Sequence, residues 1–209
     1  MQHYSGGWLY WEGESDPNSH ITPYVLRSLM TFRNLGQTVS DAVFANGANY
    51  LLSNLSTYQS DPDMLAEVSW TLAVLSKKQE ATTAWKSLDP KKLSRHGLLA
   101  YAYAAHLLDL YTPDLAFRLD RVVLDSTSTT HVSYWYWDQY ADLGIYAQLL
   151  LDRREDQKAF ALIDRLVHRV DLTSYYISTQ AKIQIFRAIL KEVRQTNSSH
   201  FSPIAIALR

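Results

Sequence analysis

Cysteine is absent from the 209 residues, which excludes disulfides, thiolate nucleophiles and cysteine-based zinc sites and leaves the compartment open. An excess of charge is missing too. Twenty Lys and Arg stand against 21 Asp and Glu, a formal charge of -1, so composition draws the chain neither to phosphate backbones nor to anionic lipid. Nucleic acid is therefore not an expected partner. No run approaches the roughly 18 apolar residues of a membrane span, and Met1-Gln2-His3-Tyr4 lacks the basic-then-apolar pattern of an export signal. Convincing strand alternation is absent as well. Gly6-Gly7 opens neither a P-loop nor a dinucleotide fingerprint and reads as a turn that needs backbone freedom, and no serine lies in a nucleophile-elbow pattern. What is present is an ordinary globular composition, 47% hydrophobic and 20% charged, in a chain long enough to bury roughly 70% of its unfolded surface.

A 3.6-residue period fills most of the chain. Met64, Val68, Leu72 and Leu75 recur on one face of a helix, and Phe160, Ile163, Val167 and Val170 recur on one face of another. Further helices are predicted over Thr22 to Asn34, Ser40 to Leu55, Lys92 to Tyr111, Asp138 to Leu151 and Thr179 to Val193, which makes about seven. Asp61-Pro62 gives the Met64 helix a capping side chain and a proline at its first position. Gly97 to Tyr111 is apolar nearly all round, as a helix enclosed by others is, whereas Glu155 to Val170 carries charges around its stripe, as an outer helix does. Lys77-Lys78 and Arg153-Arg154-Glu155-Asp156 read as solvated loops at helix ends.

Three places in the chain begin alike. Gly6-Gly7-Trp8-Leu9-Tyr10-Trp11 leads through Asp16 and Ser19 into the helix at Thr22. Tyr134-Trp135-Tyr136-Trp137 leads through Asp138 into the next, and Tyr175-Tyr176-Ile177-Ser178-Thr179-Gln180 into a third. Each is an aromatic cluster, a polar capping residue and a helix. Helix hairpins stacked in sequence, one helix of each pair inside and one outside, close into an all-α α/α toroid, with an open helical solenoid as the alternative.

These segments resemble the thioester-containing domain of the α-2-macroglobulin and complement superfamily in its bacterial branch. The resemblance rests on Ser5-Gly6-Gly7-Trp8-Leu9-Tyr10-Trp11, Ile21-Thr22-Pro23-Tyr24-Val25-Leu26, Ala66-Glu67-Val68-Ser69-Trp70-Thr71-Leu72 and His96-Gly97-Leu98-Leu99-Ala100-Tyr101-Ala102. It continues through Trp137-Asp138 and Ser178-Thr179-Gln180-Ala181, and covers about Gln2 to Arg194 in the family's order. It implies an α/α toroid within a large exported protease trap, in which cleavage of a bait region changes the molecule's shape and a Cys-Gln thioester acylates the attacker. A Cys-x-Glu-Gln motif would lie upstream of the Gly-Gly-Trp segment, and this sequence does not contain it. The expectation is a partial toroid over residues 1–195 that begins after the domain's first helices, with 196–209 a tail or the start of a following domain. The implied location is the periplasm or cell surface. The implied partners are neighbouring domains of a larger parent chain and, through that parent, a target protease. A ring missing its opening helices would also self-associate as an isolated fragment.

The chemistry-bearing side chains read in the same direction. Trp8, Tyr10, Trp11, Trp135 and Trp137 are expected to be apolar wedges sealing helix junctions, in preference to a stacking platform for a sugar or peptide. Some rim aromatics would contact a neighbouring domain. Glu12, Glu14, Asp16 and Asp138 invite the alternative of a carbohydrate-active α/α-barrel enzyme with paired carboxylates, but acidic residues at helix starts are expected for capping. His20 beside the first aromatic cluster reads as a surface or capping residue in preference to a proton-transfer group. The seven histidines show no i, i+4 pairing for a metal, and no cofactor is expected. Trp8, Trp11, Asp16, His20, Trp135, Trp137 and Asp138 are the candidate surface or junction contacts of a module with no catalysis of its own.

Overall fold

The computed structural model of the chain describes residues 1–124, 139–169 and 177–196. Among these residues there are ten helices and no strand; Gln2 and Trp8 form an isolated antiparallel bridge. The chain divides into two compact units, Met1–Thr130 and His131–Arg209. The first holds α1 (Ile21–Asn34), α2 (Asp41–Ser53), α3 (Leu55–Tyr58), α4 (Pro62–Val74), α5 (Lys78–Lys86), α6 (Arg95–Leu107) and α7 (Pro113–Leu124). The second holds α8 (Gln139–Asp152), α9 (Asp156–Arg169) and α10 (Thr179–Thr196). Within each unit the helices pack as hairpins, α4 on α5 and α8 on α9, while α6 packs along α4 and α10 along α8, each also touching the hairpin's other helix. This is the expected all-α class, built from the helix hairpins that an α/α toroid requires.

In the first unit, local chemistry sets the helix ends and brings α4 against α6. The Asp61 carboxylate accepts from the Met64 backbone N–H at 3.2 Å with Pro62 at the first helical position, as the sequence predicts. Ser94 caps α6 by accepting from Gly97 N–H at 3.1 Å, and its own N–H donates to Asp63 Oδ1 at 2.9 Å. A Cβ at Gly97 would overlap that Asp63 carboxylate, so only glycine lets the two helix starts meet. Farther along, Trp70 stacks on Tyr103 with centroids 4.5 Å apart, and Trp85 stacks on Tyr101 at the same separation while its Nε1–H donates to the Tyr101 carbonyl at 3.0 Å. Every residue from Arg95 to Ala105 is buried, which is the enclosed helix the composition predicts.

Several boundaries differ from expectation. The helix predicted from Lys92 to Tyr111 is trimmed to Arg95–Leu107, because Ser94 caps its start and Asp109 takes a left-handed φ of +60° just past its end. The sequence reading omitted α3, α5 and α7. Lys78 opens α5 and is not a loop residue, since the chain turns through Ser76 at φ +61° and resumes helical hydrogen bonding at Lys77.

In the second unit, α8 is buried from Ala141 to Leu151 except at Gln148. It meets α10 at Gly144, where a Cβ would lie 2.8 Å from the Gln184 backbone. Gln148 Nε2 closes the contact by donating to Gln184 O at 3.1 Å and to Gln184 Oε1 at 3.0 Å. The buried stripe of α9 is Ala159, Leu162, Ile163 and Leu166, whereas Phe160 is half-buried and Val167 is 45% exposed. The predicted register is thus about one residue out. Small Ala159 allows close approach, and the two leucines at i+3 and i+7 from it bury more apolar surface than the valine. Arg153 pairs with Glu155 at 2.8 Å in the turn between α8 and α9, a charged loop as expected.

Candidate functional site

The N-terminal aromatic segment is pinned to α1 and α2 by backbone hydrogen bonds that its sequence makes possible. Gly6 takes φ +96°, a conformation that a side chain would strain, and the turn it completes sends Trp8 inward. The Trp8 N–H donates to Thr22 Oγ1 at 2.9 Å, and Trp8 O accepts from Asn18 N–H at 2.8 Å. Gln2 Nε2 bridges to Gly6 O at 2.9 Å and to Val43 O at 3.0 Å on α2. Trp8 is buried in the core of the unit, the wedge role expected of it.

Trp11 does not share that role. It is 68% exposed, with its neighbour Tyr10 set edge-on to it at 4.8 Å. The reason is the turn at Glu14, whose carboxylate accepts from Tyr10 N–H at 2.7 Å and swings residues 11–16 away from the helices. Asp16 is exposed and accepts from Ser15 Oγ at 2.8 Å; it caps nothing. The cap at α1 comes from Asn18, whose Oδ1 accepts from the N–H groups of His20 and Ile21 at 2.9 and 3.0 Å. His20 stands half-buried at the N-cap position. Residues 14–19 line a shallow open hollow of about 500 Å³. Trp135, Trp137 and Asp138 lie outside the described residues. Among the described residues no group of three or more His, Asp or Glu side chains is arranged to hold a metal, and no helix is long and apolar enough to cross a membrane.

The strongest polar constellation is one that the sequence reading missed. Arg27 of α1, Glu67 of α4 and His96 of α6 are all buried and meet where the three helices cross. One Arg27 terminal nitrogen pairs with Glu67 Oε2; the other donates to Glu67 O at 3.2 Å and to Thr71 Oγ1 at 2.7 Å. Thr71 Oγ1 in turn donates to Glu67 O at 2.8 Å. His96 Nε2 lies 2.8 Å from Glu67 Oε1, close enough for an ion pair although its N–H is not aimed along that line. The Arg27 guanidinium also covers the Trp70 ring at 4.0 Å. Burial by itself pushes the Glu67 carboxyl up, but the guanidinium and the imidazole outweigh it and hold the group at about 2. The acid is therefore a carboxylate at neutral pH.

What the sequence offered toward this cluster was an acid, Glu67, set between the apolar Ala66 and Val68 beyond the first turn of its helix. A carboxylate so placed needs a buried cation, and Arg27 directly follows the apolar Val25-Leu26 pair. Residues from four of the segments that carry the family resemblance thus meet in one unit, Trp8 on Thr22 and Glu67, Trp70 and Thr71 near His96, with Arg27 joining them from just beyond the second segment.

No protein-family model matches the sequence, and no curated protein matches it either. The fold itself is shared with a solved structure: an all-α arrangement of helix hairpins that forms part of a much longer chain. That structure is E. coli alpha-2-macroglobulin in its native conformation, reconstructed by cryo-electron microscopy, with a TM-score of 0.68 and 19% identity over 91% of this chain. The chain spans 13% of the length of that protein. Similarity at this level is one of fold.

Proposed function

We propose that the chain is a module of a bacterial alpha-2-macroglobulin-like endopeptidase inhibitor, serving as a helical scaffold with no catalysis of its own. The observation that carries this reading is the shared fold with E. coli alpha-2-macroglobulin over 91% of the chain, taken together with the family's short motifs occurring here in order. The inward-turned polar cluster supports it as well. Arg27 and Glu67 pair their charges with His96 beside them at a helix crossing, which is how a scaffold fixes which helices meet. In this reading residues 1–195 form a partial α/α toroid that presents or shields the thioester region of a larger exported chain, at the periplasm or cell surface. Neighbouring domains of that chain are its direct partners, and the target protease is reached through them.

The test is made on the complete parent protein, incubated with an endopeptidase acting on a protein substrate. Proteolysis is expected to fall as the parent approaches equimolar amounts, with the parent itself cleaved at one region. Undiminished proteolysis at excess parent overturns the reading.

A further inference from the structure

Lysine is unevenly placed along the chain. Five of its eight lysines, Lys77, Lys78, Lys86, Lys91 and Lys92, fall within sixteen residues that contain no arginine and only two acids, Glu80 and Asp89. Those five lysines and two acids give the stretch a formal charge of +3, whereas the rest of the first unit, residues 1–76 and 93–130, has five arginines against eleven acids. The near-neutral total of -1 conceals one basic region set in an acidic unit.

The fold puts these lysines on the outside. Helix α5 turns Ala81 and Ala84 into the core against α4 and α6. All five lysines are exposed, and among the described residues their ammonium groups have no hydrogen-bond or ion-pair partner. By contrast, Lys158 and Lys191 pair with Glu155 and Asp152. Lys77 and Lys78 stand at the start of α5 and Lys86 at its end, about 13 Å away. Lys91 and Lys92 follow in a turn closed by Asp89, whose Oδ1 accepts from Lys91 N–H at 2.9 Å and whose carbonyl accepts from Lys92 N–H at 3.0 Å. No large apolar side chain of the stretch is exposed, since Trp85 is stacked on Tyr101 and Leu88 is half-buried.

What such a surface fits follows from what it lacks. Protein interfaces are poor in lysine and anchored by aromatic and arginine side chains, and single-stranded nucleic acid is held by stacking on exposed aromatics. This face offers neither. Unpaired lysines without an anchor suit diffuse attraction to a layer of anionic headgroups, in which each compact ammonium contributes separately. Screening over about 8 Å at physiological salt lets the local charge, and not the total of the unit, govern that contact.

We propose that the outer face of α5 and its flanking turns is an electrostatic docking surface for an anionic membrane, whose lipid phosphates the five lysines meet from the water side. The contact is separate from protease trapping and needs no insertion of chain into the bilayer. The full chain is mixed with vesicles of phosphatidylcholine containing phosphatidylglycerol, or of phosphatidylcholine alone, and bound protein is measured by sedimentation at low and at physiological salt. Binding is expected on the anionic vesicles only, weakening as salt rises. Lys77→Gln, Lys78→Gln, Lys86→Gln, Lys91→Gln and Lys92→Gln made together are expected to cut it about tenfold or more, with the helical circular dichroism retained. The pair Lys91→Gln with Lys92→Gln, confined to a turn, reports the same contact by a fall of about threefold or more should the larger variant disturb folding. Arg121→Gln, Lys158→Gln, Arg165→Gln, Lys182→Gln and Arg194→Gln together remove the same charge elsewhere and are expected to keep most of the binding. Equal loss in the two fivefold variants overturns the proposal, as does absence of binding to anionic vesicles at low salt. So does tighter binding to polyglutamate or to a single-stranded oligonucleotide than to the vesicles, which would make an acidic protein or a nucleic acid the occupant.

Discussion

Arg27, Glu67 and His96 show how far one buried acid can govern its surroundings. A free glutamate titrates near 4.3, and Glu67 in the folded chain near 2. Unfolded chains therefore take up the proton first as pH falls. The carboxylate's stabilisation is complete above about pH 5 and is lost between about pH 4.5 and 2, by roughly 3 kcal/mol. Glu67→Gln is expected to flatten that stretch of the stability curve and, by leaving the guanidinium without its counter-charge, to cost about 3 to 5 kcal/mol at pH 7. Urea unfolding across a pH series reads both effects. Arg27→Met is expected to cost a similar amount, and the Arg27→Met, Glu67→Leu double variant less than the sum of the two, since removing both charges relieves the desolvation that removing one leaves. Additive costs would mean that the pair is not coupled. None of this was legible beforehand. The acid between two apolar neighbours was visible, but which cation it meets depends on which helices cross, and these partners lie 40 and 29 positions away along the chain.

At the scale of the helix, legibility followed the strength of local chemistry. The starts of α2 and α4 are where Ser40 and Asp61 predict them, because a side-chain oxygen reaching a backbone N–H two or three residues on is a short-range event. The ends of α6 were overextended, since apolar periodicity runs past Leu107 while the backbone does not. Helix α5 is nine residues long and mostly polar, so periodicity is silent about it; Trp85 fixes it by stacking on Tyr101, a tertiary contact. Among the candidate aromatics, Trp8 packs and Trp11 does not, and what separates them is a hydrogen bond to Glu14 that no spacing rule contains. The α4–α6 junction gives this scale its prediction. Gly97→Ala must displace the Asp63 carboxylate and so lose its bond to Ser94 N–H as well. The combined cost is expected to be about 2 to 3 kcal/mol, against the roughly 0.5 to 1 kcal/mol by which alanine usually improves a helix interior. Denaturant midpoints compared with the parent chain decide the sign.

For the whole molecule the informative fact is that each compact unit has its own lock. Unit one is held by the Arg27–Glu67–His96 crossing, and unit two by Gly144 and Gln148 against Gln184. A chain of about 200 residues is long enough to contain more than one cooperative unit, and stability then differs from part to part. If the units are separate foldons, a lesion in one lock stays local. Glu67→Gln is expected to speed amide exchange in peptides from α1, α4 and α6 by about 100-fold or more, leaving peptides from α8 and α10 at their original rates. Gly144→Val, which forces a side chain against the Gln184 backbone, is expected to do the converse. Hydrogen exchange followed by mass spectrometry on the full chain resolves these peptides in one experiment. Uniform loss of protection in both variants would mean that the chain opens as one body. In that case cooperativity would extend through all ten described helices, and the two units would share one stability.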